Sequence, residues 1–146
     1  YKNMKRVPFF QFPIKLDIGC GRNKITGHIG MDELDFGQEI VWNINNGIPL
    51  PNDSVSSVHS SHFFEHLKKE ELPNAFSEII RVCVKDAPVV IIVPHADTHQ
   101  AHYMCHYTYW HENMIKGLCE DSFNIELIST SREGIHFTMN LKIKKG

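Results

Sequence analysis

Apolar residues recur along the chain with two periods, one typical of strands and the other typical of helices. Short apolar runs predict strands at 14–18, 28–31, 39–43, 55–60 and 89–93, with further strands near 123–129 and 135–143. From Leu72 to Cys83 the apolar residues follow helical spacing and predict an amphipathic helix that lies on the sheet. A second helix is predicted at about 109–118. This alternation predicts an α/β fold with a mostly parallel sheet.

The connections after the first two predicted strands are too short for ordinary crossover helices. Eight residues, 19 to 26, follow the first strand, whereas a parallel crossover with its helix takes about a dozen. The connection at 34–38 is shorter still. We therefore predict reduced helices after strands 1 and 2 and an apolar sheet face left bare. The β-branched run at 89–93 is itself typical of a strand buried on both faces.

A bare apolar face needs a cover, because exposed apolar surface costs about 25 cal/mol for each Å². Phe9, Phe10 and Phe12 belong to an extended arm, residues 1–13, which is predicted to shield part of the sheet. A second subunit is the simplest source of the remaining cover. We therefore predict a homodimer, or a natural covering segment outside the given chain, which begins at Tyr1.

Composition narrows the classes of function. The 146 residues suit a single domain over 1–146, and a net charge of −2 predicts no nucleic-acid partner. The four cysteines contain no CxxC pair, and no secretory segment opens the chain, so a cytoplasmic location is expected. No apolar run approaches the roughly 18 residues of a membrane span.

The segment 15–21 joins a predicted strand to a glycine-rich turn. Gly19 and Gly21 allow the backbone to turn sharply and to approach a ligand closely. Asp17 lies at the carboxyl end of the strand, where open α/β sheets bind their ligands. Position 24 is Lys where a dinucleotide fingerprint requires glycine, so the pattern predicts a cofactor site of another kind.

The letters LDIGCG at 16–21 resemble the glycine-rich first motif of class I S-adenosylmethionine-dependent methyltransferases. Two further segments resemble that family in the same order, LPNDSV to SSHFFEHL over 50–67 and the helix and strand over 70–94. The resemblance implies S-adenosylmethionine as cofactor and methyl transfer to an unidentified acceptor. It also implies a Rossmann-like, mostly parallel sheet with an antiparallel C-terminal strand.

The resemblance assigns cofactor contacts to residues near the carboxyl ends of the predicted strands. They are Asp17, Gly19, Cys20, Gly21, Asp32, Glu33, Asn43, Ile44, Ser60 and Ser61. A carboxylate at Asp32 can accept hydrogen bonds from two ribose hydroxyls. Asn43 replaces the family's usual Asp at the adenine, and its amide oxygen can still accept from the adenine amine.

A hydroxyl or amine acceptor must lose a proton during methyl transfer. His62 and His95 are the candidate bases, because histidine titrates near neutrality and both residues follow predicted strands. The acceptor itself is left open as a small metabolite, a quinone, a lipid, a glycan or a protein. The segment 95–111 is predicted to cover the acceptor pocket, which its aromatic residues Tyr103, Tyr107, Tyr109 and Trp110 would line.

Two other functions compete with methyl transfer. Asn43 in place of the family's Asp allows a non-catalytic cofactor-binding module. The histidines of 95–111 are spaced to share one helical face and allow a metal-binding protein. The favoured interpretation assigns no metal ligand.

Overall fold

Seven strands form a mixed sheet in the computed structural model, which describes residues 5–121 and 124–145. The strands are β1 (Ile14–Ile18), β2 (Ile29–Asp32), β3 (Ile40–Val41), β4 (Val55–Ser61), β5 (Pro88–Pro94), β6 (Ile125–Glu133) and β7 (His136–Ile143). Their order is β3-β2-β1-β4-β5-β7-β6. Strands β1 to β5 pair in parallel, and β7 runs antiparallel to both β5 and β6. The predicted α/β sheet with an antiparallel C-terminal strand is confirmed.

Two α-helices accompany the sheet in the described part of the chain, α1 (Leu72–Val82) and α2 (Glu112–Glu120). The apolar spacing of α1 buries one face of the helix, including Phe76 and Ile79. Helix α2 begins after His111, whose Nδ1 accepts a hydrogen bond from the backbone N–H of Met114 at 3.2 Å. No described helix has the length and apolar composition needed to cross a membrane.

The hydrophobic core lies on the face of the sheet that the alternating apolar residues define. Leu16, Val58, Val89 and Leu141 are register partners across four neighbouring strands, and each is at most 2% exposed. Side chains in such a row point to the same face. This face therefore explains why β1, β4, β5 and β7 carry apolar residues at every second position.

The opposite face of the sheet is more polar than the sequence predicted. Its neighbouring row contains Asp17, His59, Val90 and Asn140, again as register partners. Val90 and Ile92 on this face are only half-buried, so the prediction that β5 is buried on both faces was wrong. Polar side chains remain hydrated without the cost of exposed apolar surface. The homodimer stays a prediction, but this polar face does not need the cover that a second subunit would give.

Side-chain hydrogen bonds replace a crossover helix between β2 and β3. The buried Gln38 side chain donates through Nε2 to the carbonyls of Leu34 and Ile40, at 2.8 and 3.0 Å. Its Oε1 accepts from the backbone N–H of Phe36 at 2.8 Å. These bonds satisfy backbone groups that a helix would otherwise pair. The prediction of reduced helices after β1 and β2 is confirmed over the described residues.

The amino-terminal arm lies along the β3 edge of the sheet. Its Arg6 exchanges two backbone hydrogen bonds with Val41, at 3.1 and 2.9 Å. Phe10 packs against the core, whereas Phe9 is 95% exposed and Phe12 is 44% exposed. The predicted shielding therefore holds for Phe10 and was wrong for Phe9. Residues 1–4 of the predicted arm, and residue 123 of the predicted sixth strand, lie outside the described residues.

Arg81 of α1 should be important for stability, because its guanidinium fixes the loop before β4. It donates to the carbonyls of Ile48 and Leu50 at 2.8 and 3.0 Å, and to Glu78 at 2.7 Å. The hydrogen bond from Arg81 is the main cause that lowers the pKa of Glu78. Arg81→Met keeps the aliphatic stem and removes the donors. We expect the free energy of unfolding to fall by about 1.5–3 kcal/mol, measured by urea denaturation.

Arg132→Met is the matched control, because it removes a charged pair with Asp97 on an exposed part of the surface. Such pairs contribute about 0–1 kcal/mol. Equal losses of stability in the two variants would contradict the role given to Arg81.

Candidate cofactor and active site

A cavity of about 240 Å³ lies at the carboxyl ends of β1, β2 and β3. Five residues assigned from the sequence line it: Gly19, Asp32, Glu33, Asn43 and Ile44. They come from three neighbouring strands, and parallel strands bring their carboxyl ends to one edge of the sheet. The strand order therefore explains how residues distant in sequence share one cavity.

The glycine turn after β1 requires glycine at its first position. Gly19 has a φ of +67°, a left-handed conformation that other residues rarely adopt. A Cβ built there would lie 2.3 Å from the Phe63 ring, which also lines the cavity. The backbone N–H of Gly19 donates to the carbonyl of Met31 at 2.7 Å and holds the turn against β2. Gly21 lies just outside the lining residues.

The Asp32 carboxylate is oriented by the backbone around it. One oxygen accepts from the N–H of Gly21 and the other from the N–H of Leu34, each at 3.0 Å. A carboxylate oxygen can accept more than one hydrogen bond. Both oxygens therefore retain capacity for hydroxyl donors inside the cavity.

The loop after β3 forms another wall of the cavity. Asn43 donates through Nδ2 to Glu33 at 2.7 Å, and its Oδ1 accepts from the backbone N–H of Asn45 at 2.9 Å. Ile44 is buried beside them and gives this wall an apolar surface. Trp42 also lines the cavity, and its Nε1 is buried with no hydrogen-bond partner in the described part of the chain. A ligand with both apolar and hydrogen-bonding groups suits this wall.

Besides Gly21, four residues assigned from the sequence lie outside the cavity lining. Asp17 is buried and accepts from a backbone N–H of the β1–β2 connection at 3.1 Å. Burial raises the pKa of the Cys20 thiol to about 11. Ser60 donates to the carbonyl of Ile18 at 2.9 Å, and Ser61 is half-buried on the polar face of the sheet. Their direct contact with a cofactor stays a prediction, while the structure gives Asp17 and Ser60 a supporting role.

His62 lies in a short chain of titratable side chains and precedes Phe63, which lines the cavity. Its Nε2 is 2.8 Å from Nδ1 of His136, and its Nδ1 is 3.5 Å from Oε2 of Glu65. Glu65 is buried, and its other oxygen has no partner among residues 5–121 and 124–145. His62 has a φ of +56°, which is uncommon outside glycine. Sequence reasoning missed His136, and only the antiparallel position of β7 brings it here.

Comparison with known proteins finds similarity at the level of structure. No family model and no curated protein matches the chain. A SAM-dependent methyltransferase from Archaeoglobus fulgidus is 20% identical, covering 88% of this chain and 85% of its own, with a TM-score of 0.68. A putative type 11 methyltransferase from Sulfolobus solfataricus is 18% identical, covering 91% of this chain and 85% of its own, with a TM-score of 0.66. The chain has the SAM-dependent methyltransferase fold.

A third structure with this methyltransferase fold contains ligands. It is the 1,6-didemethyltoxoflavin-N1-methyltransferase of Burkholderia thailandensis, with bound 1,6-didemethyltoxoflavin and S-adenosylhomocysteine. It is 14% identical, covering 90% of this chain and 70% of its own, with a TM-score of 0.70. The methyltransferase fold that the glycine motif implied is therefore confirmed by structures whose sequences are only 14–20% identical to this chain.

Both ring nitrogens of His95, the second candidate base, have hydrogen-bond partners in this fold. Its Nε2 lies 2.8 Å from Oε1 of Glu112, and its Nδ1 accepts from the backbone N–H of Asp97 at 3.1 Å. The hydrogen bond with His95 is the main cause that lowers the pKa of Glu112. The ring is buried and ties the loop after β5 to α2, whereas His62 is half-buried. A catalytic role for His95 stays a prediction, and the geometry favours His62.

The segment 95–111 does not form the shared histidine face of the metal hypothesis, and its Trp110 does not line a pocket as predicted. It contains a 3-10 turn at His99–His102 and no longer helix, so its histidines do not share a helical face. Trp110 is fully buried and donates through Nε1 to Thr108 at 2.9 Å, so it belongs to the core rather than to a pocket. The three tyrosines are exposed on the surface.

Proposed function

We propose that this protein is an S-adenosylmethionine-dependent methyltransferase acting on a small-molecule, lipid or glycan acceptor. The observation that carries the proposal is the cavity, which joins Gly19, Asp32 and Asn43 at the carboxyl ends of three strands in a methyltransferase fold. A structure with the same fold holds S-adenosylhomocysteine, the product of such a transfer. A single domain over 1–146 and a cytoplasmic location belong to the same proposal.

The residues that line the cavity fit the separate parts of this cofactor. Asp32 would accept hydrogen bonds from the ribose hydroxyls, and Ile44 would pack on the adenine. The turn at Gly19 would leave space for the methionine part. When bound, S-adenosylmethionine supplies a sulfonium methyl group for in-line displacement, so the protein's main task is to align the acceptor.

His62 is the residue best placed to take a proton from the acceptor. Glu65 lies on its Nδ1 side and would stabilise the imidazolium that forms. Nδ1 of His62 would take the acceptor's proton, and the proton on Nε2 would then pass to Nδ1 of His136, 2.8 Å away and exposed to solvent. This arrangement provides a base, a neighbouring carboxyl group and an exit for the proton.

Calorimetric titration of the purified chain with S-adenosylhomocysteine tests the cofactor assignment. One binding site per chain is expected, and release of S-adenosylhomocysteine from S-adenosylmethionine should follow when a suitable acceptor is added. Binding without turnover over a broad set of acceptors would favour the non-catalytic module. No heat of binding at millimolar ligand would refute the proposal.

His62→Gln and His136→Gln separate catalysis from cofactor binding. Turnover should fall by about 10²–10⁴-fold for His62→Gln, because that is the usual contribution of a general base. Turnover should fall less for His136→Gln, and the affinity for S-adenosylhomocysteine should stay within about twofold in both variants. His99→Gln is the control, because this exposed histidine lies outside the group. A turnover loss confined to His95→Gln would transfer the role of base to that residue.

A further inference from the structure

Three potential metal ligands come together where the turn after β4 meets the loop before α2. They are His66, Cys105 and His106, and one donor atom from each lies within 4.8 Å of the others. His66 also lines the cofactor cavity, so the cluster borders that cavity through His66. The sequence hypothesis of a metal site in 95–111 does not include His66.

Hydrogen bonds hold the two segments that carry the ligands in a fixed relation. The backbone N–H of Tyr107 donates to the carbonyl of Glu65 at 2.8 Å. The Thr108 hydroxyl donates to the carbonyl of Phe64 at 3.0 Å and accepts from the buried Trp110. These bonds flank the ligands on both segments. The cluster therefore rests on a scaffold in the core rather than on a free loop.

The imidazoles of His66 and His106 each have a ring nitrogen that is available to a metal ion, for different reasons. Nδ1 of His66 lies 3.0 Å from the carbonyl of Cys105, which makes it the protonated nitrogen and leaves Nε2 as the donor to a metal. Metal-binding histidines commonly donate their second N–H to a carbonyl in this way. Nδ1 of His106 is buried, and no described residue gives it a hydrogen bond. A buried nitrogen without a partner is unfavourable, and a metal ion would satisfy it.

We propose that His66, Cys105 and His106 form a zinc site with Nε2, Sγ and Nδ1 as the ligands. Two imidazoles and a thiolate suit Zn²⁺ better than Mg²⁺ or Ca²⁺, which prefer oxygen ligands. Zinc bonds of about 2.0–2.3 Å would draw the three donors closer together, through small rotations of the exposed side chains of His66 and Cys105. The ion would clamp the loop before α2 to the turn that borders the cofactor cavity.

Three protein ligands leave the fourth position of a tetrahedral zinc free. Water or an atom of the acceptor can take that position, as in catalytic zinc sites. Glu65 is the nearest carboxylate to the cluster, with Oε2 at 3.9 Å from Nε2 of His66. Its second oxygen has no partner within the described ranges, so it can accept a hydrogen bond from a zinc-bound water.

Cobalt substitution tests the site on the full chain, without S-adenosylmethionine or an acceptor. The metal-free protein is titrated with Co²⁺ and then with Zn²⁺, and absorption is followed in the visible and near-ultraviolet ranges. We expect one Co²⁺ per chain, tetrahedral visible bands and a thiolate charge-transfer band, all displaced by Zn²⁺. Cys105→Ser should abolish the charge-transfer band, and His106→Gln should weaken Co²⁺ binding by about tenfold or more. His99→Gln should bind as the parent protein does.

Alkylation of Cys105 provides an independent readout. Of the four cysteines, all in described positions, only Cys105 is exposed. Zn²⁺ should slow its reaction with iodoacetamide in the parent protein and in His99→Gln, but not in His66→Gln, where the thiol remains. Circular dichroism verifies that each variant is folded. Identical alkylation rates with and without Zn²⁺, or Co²⁺ spectra unchanged by Cys105→Ser, would overturn the proposal.

Discussion

Gly19→Ala is expected to remove measurable binding of S-adenosylhomocysteine, a loss of at least about a hundredfold. Two costs act together at this position. An alanine at a φ of +67° is strained by about 1–2 kcal/mol. Its Cβ would also lie 2.3 to 2.5 Å from Phe63 atoms that include the Cβ of that residue, so rotation of the ring alone cannot relieve the contact. Either Phe63 or the turn must move, and both line the cavity.

Gly134→Ala is the matched control for backbone strain. Gly134 has a φ of +60°, and a Cβ there meets no atom within 4 Å. This variant should lose about 1–2 kcal/mol of stability and keep its affinity for S-adenosylhomocysteine. Calorimetry and urea denaturation of both variants separate strain from the collision. Comparable affinities in the two variants would show that the glycine turn does not shape the cofactor site.

Asp32→Ala is expected to weaken binding of S-adenosylhomocysteine by about 10- to 150-fold for each ribose hydrogen bond lost, corresponding to about 1.5–3 kcal/mol. The same substitution leaves the N–H groups of Gly21 and Leu34 without their carboxylate partner. The glycine turn should therefore lose order as well. Asp32→Asn keeps the shape and one acceptor oxygen, so its loss should be smaller.

Asp35→Ala provides the control three residues further along the chain. The Asp35 carboxylate is exposed and pairs with the guanidinium of Arg6 at 2.9 Å. The hydrogen bond from Arg6 is the main cause that lowers the pKa of Asp35 to about 2. Its removal should affect the arm and leave the affinity for S-adenosylhomocysteine within about twofold of the parent value. Equal losses for Asp32→Ala and Asp35→Ala would refute the ribose assignment.

The secondary structure was predictable because it depends on neighbours in the sequence. Alternation of apolar residues in β1, and their helical spacing in α1, reflect which side chains can face a core. The bounds agree closely, with β1 observed at Ile14–Ile18 and α1 ending at Val82. The short segment between β1 and β2 likewise excluded a long helix by its length alone.

Much of the candidate cofactor site was also predictable from the chain. Asp32 is the last residue of β2 and Asn43 lies two residues after β3, and parallel strands place such residues at one edge of the sheet. Gly19 could be recognised because a left-handed turn needs glycine. The polarity of each sheet face was harder to predict. The β5 run reads as fully apolar, whereas its half-buried side lies next to His59 and Asn140, which belong to other strands.

The sequence by itself determined the strands, the helices and the glycine turn, because each depends on local spacing and backbone conformation. Only the tertiary structure decided which histidines act together. His62 meets His136 across 74 positions because β7 enters the sheet antiparallel beside β5. His66 meets Cys105 across 39 positions because backbone hydrogen bonds join their segments. Such contacts arise from the packing of distant elements, and no local pattern encodes that packing.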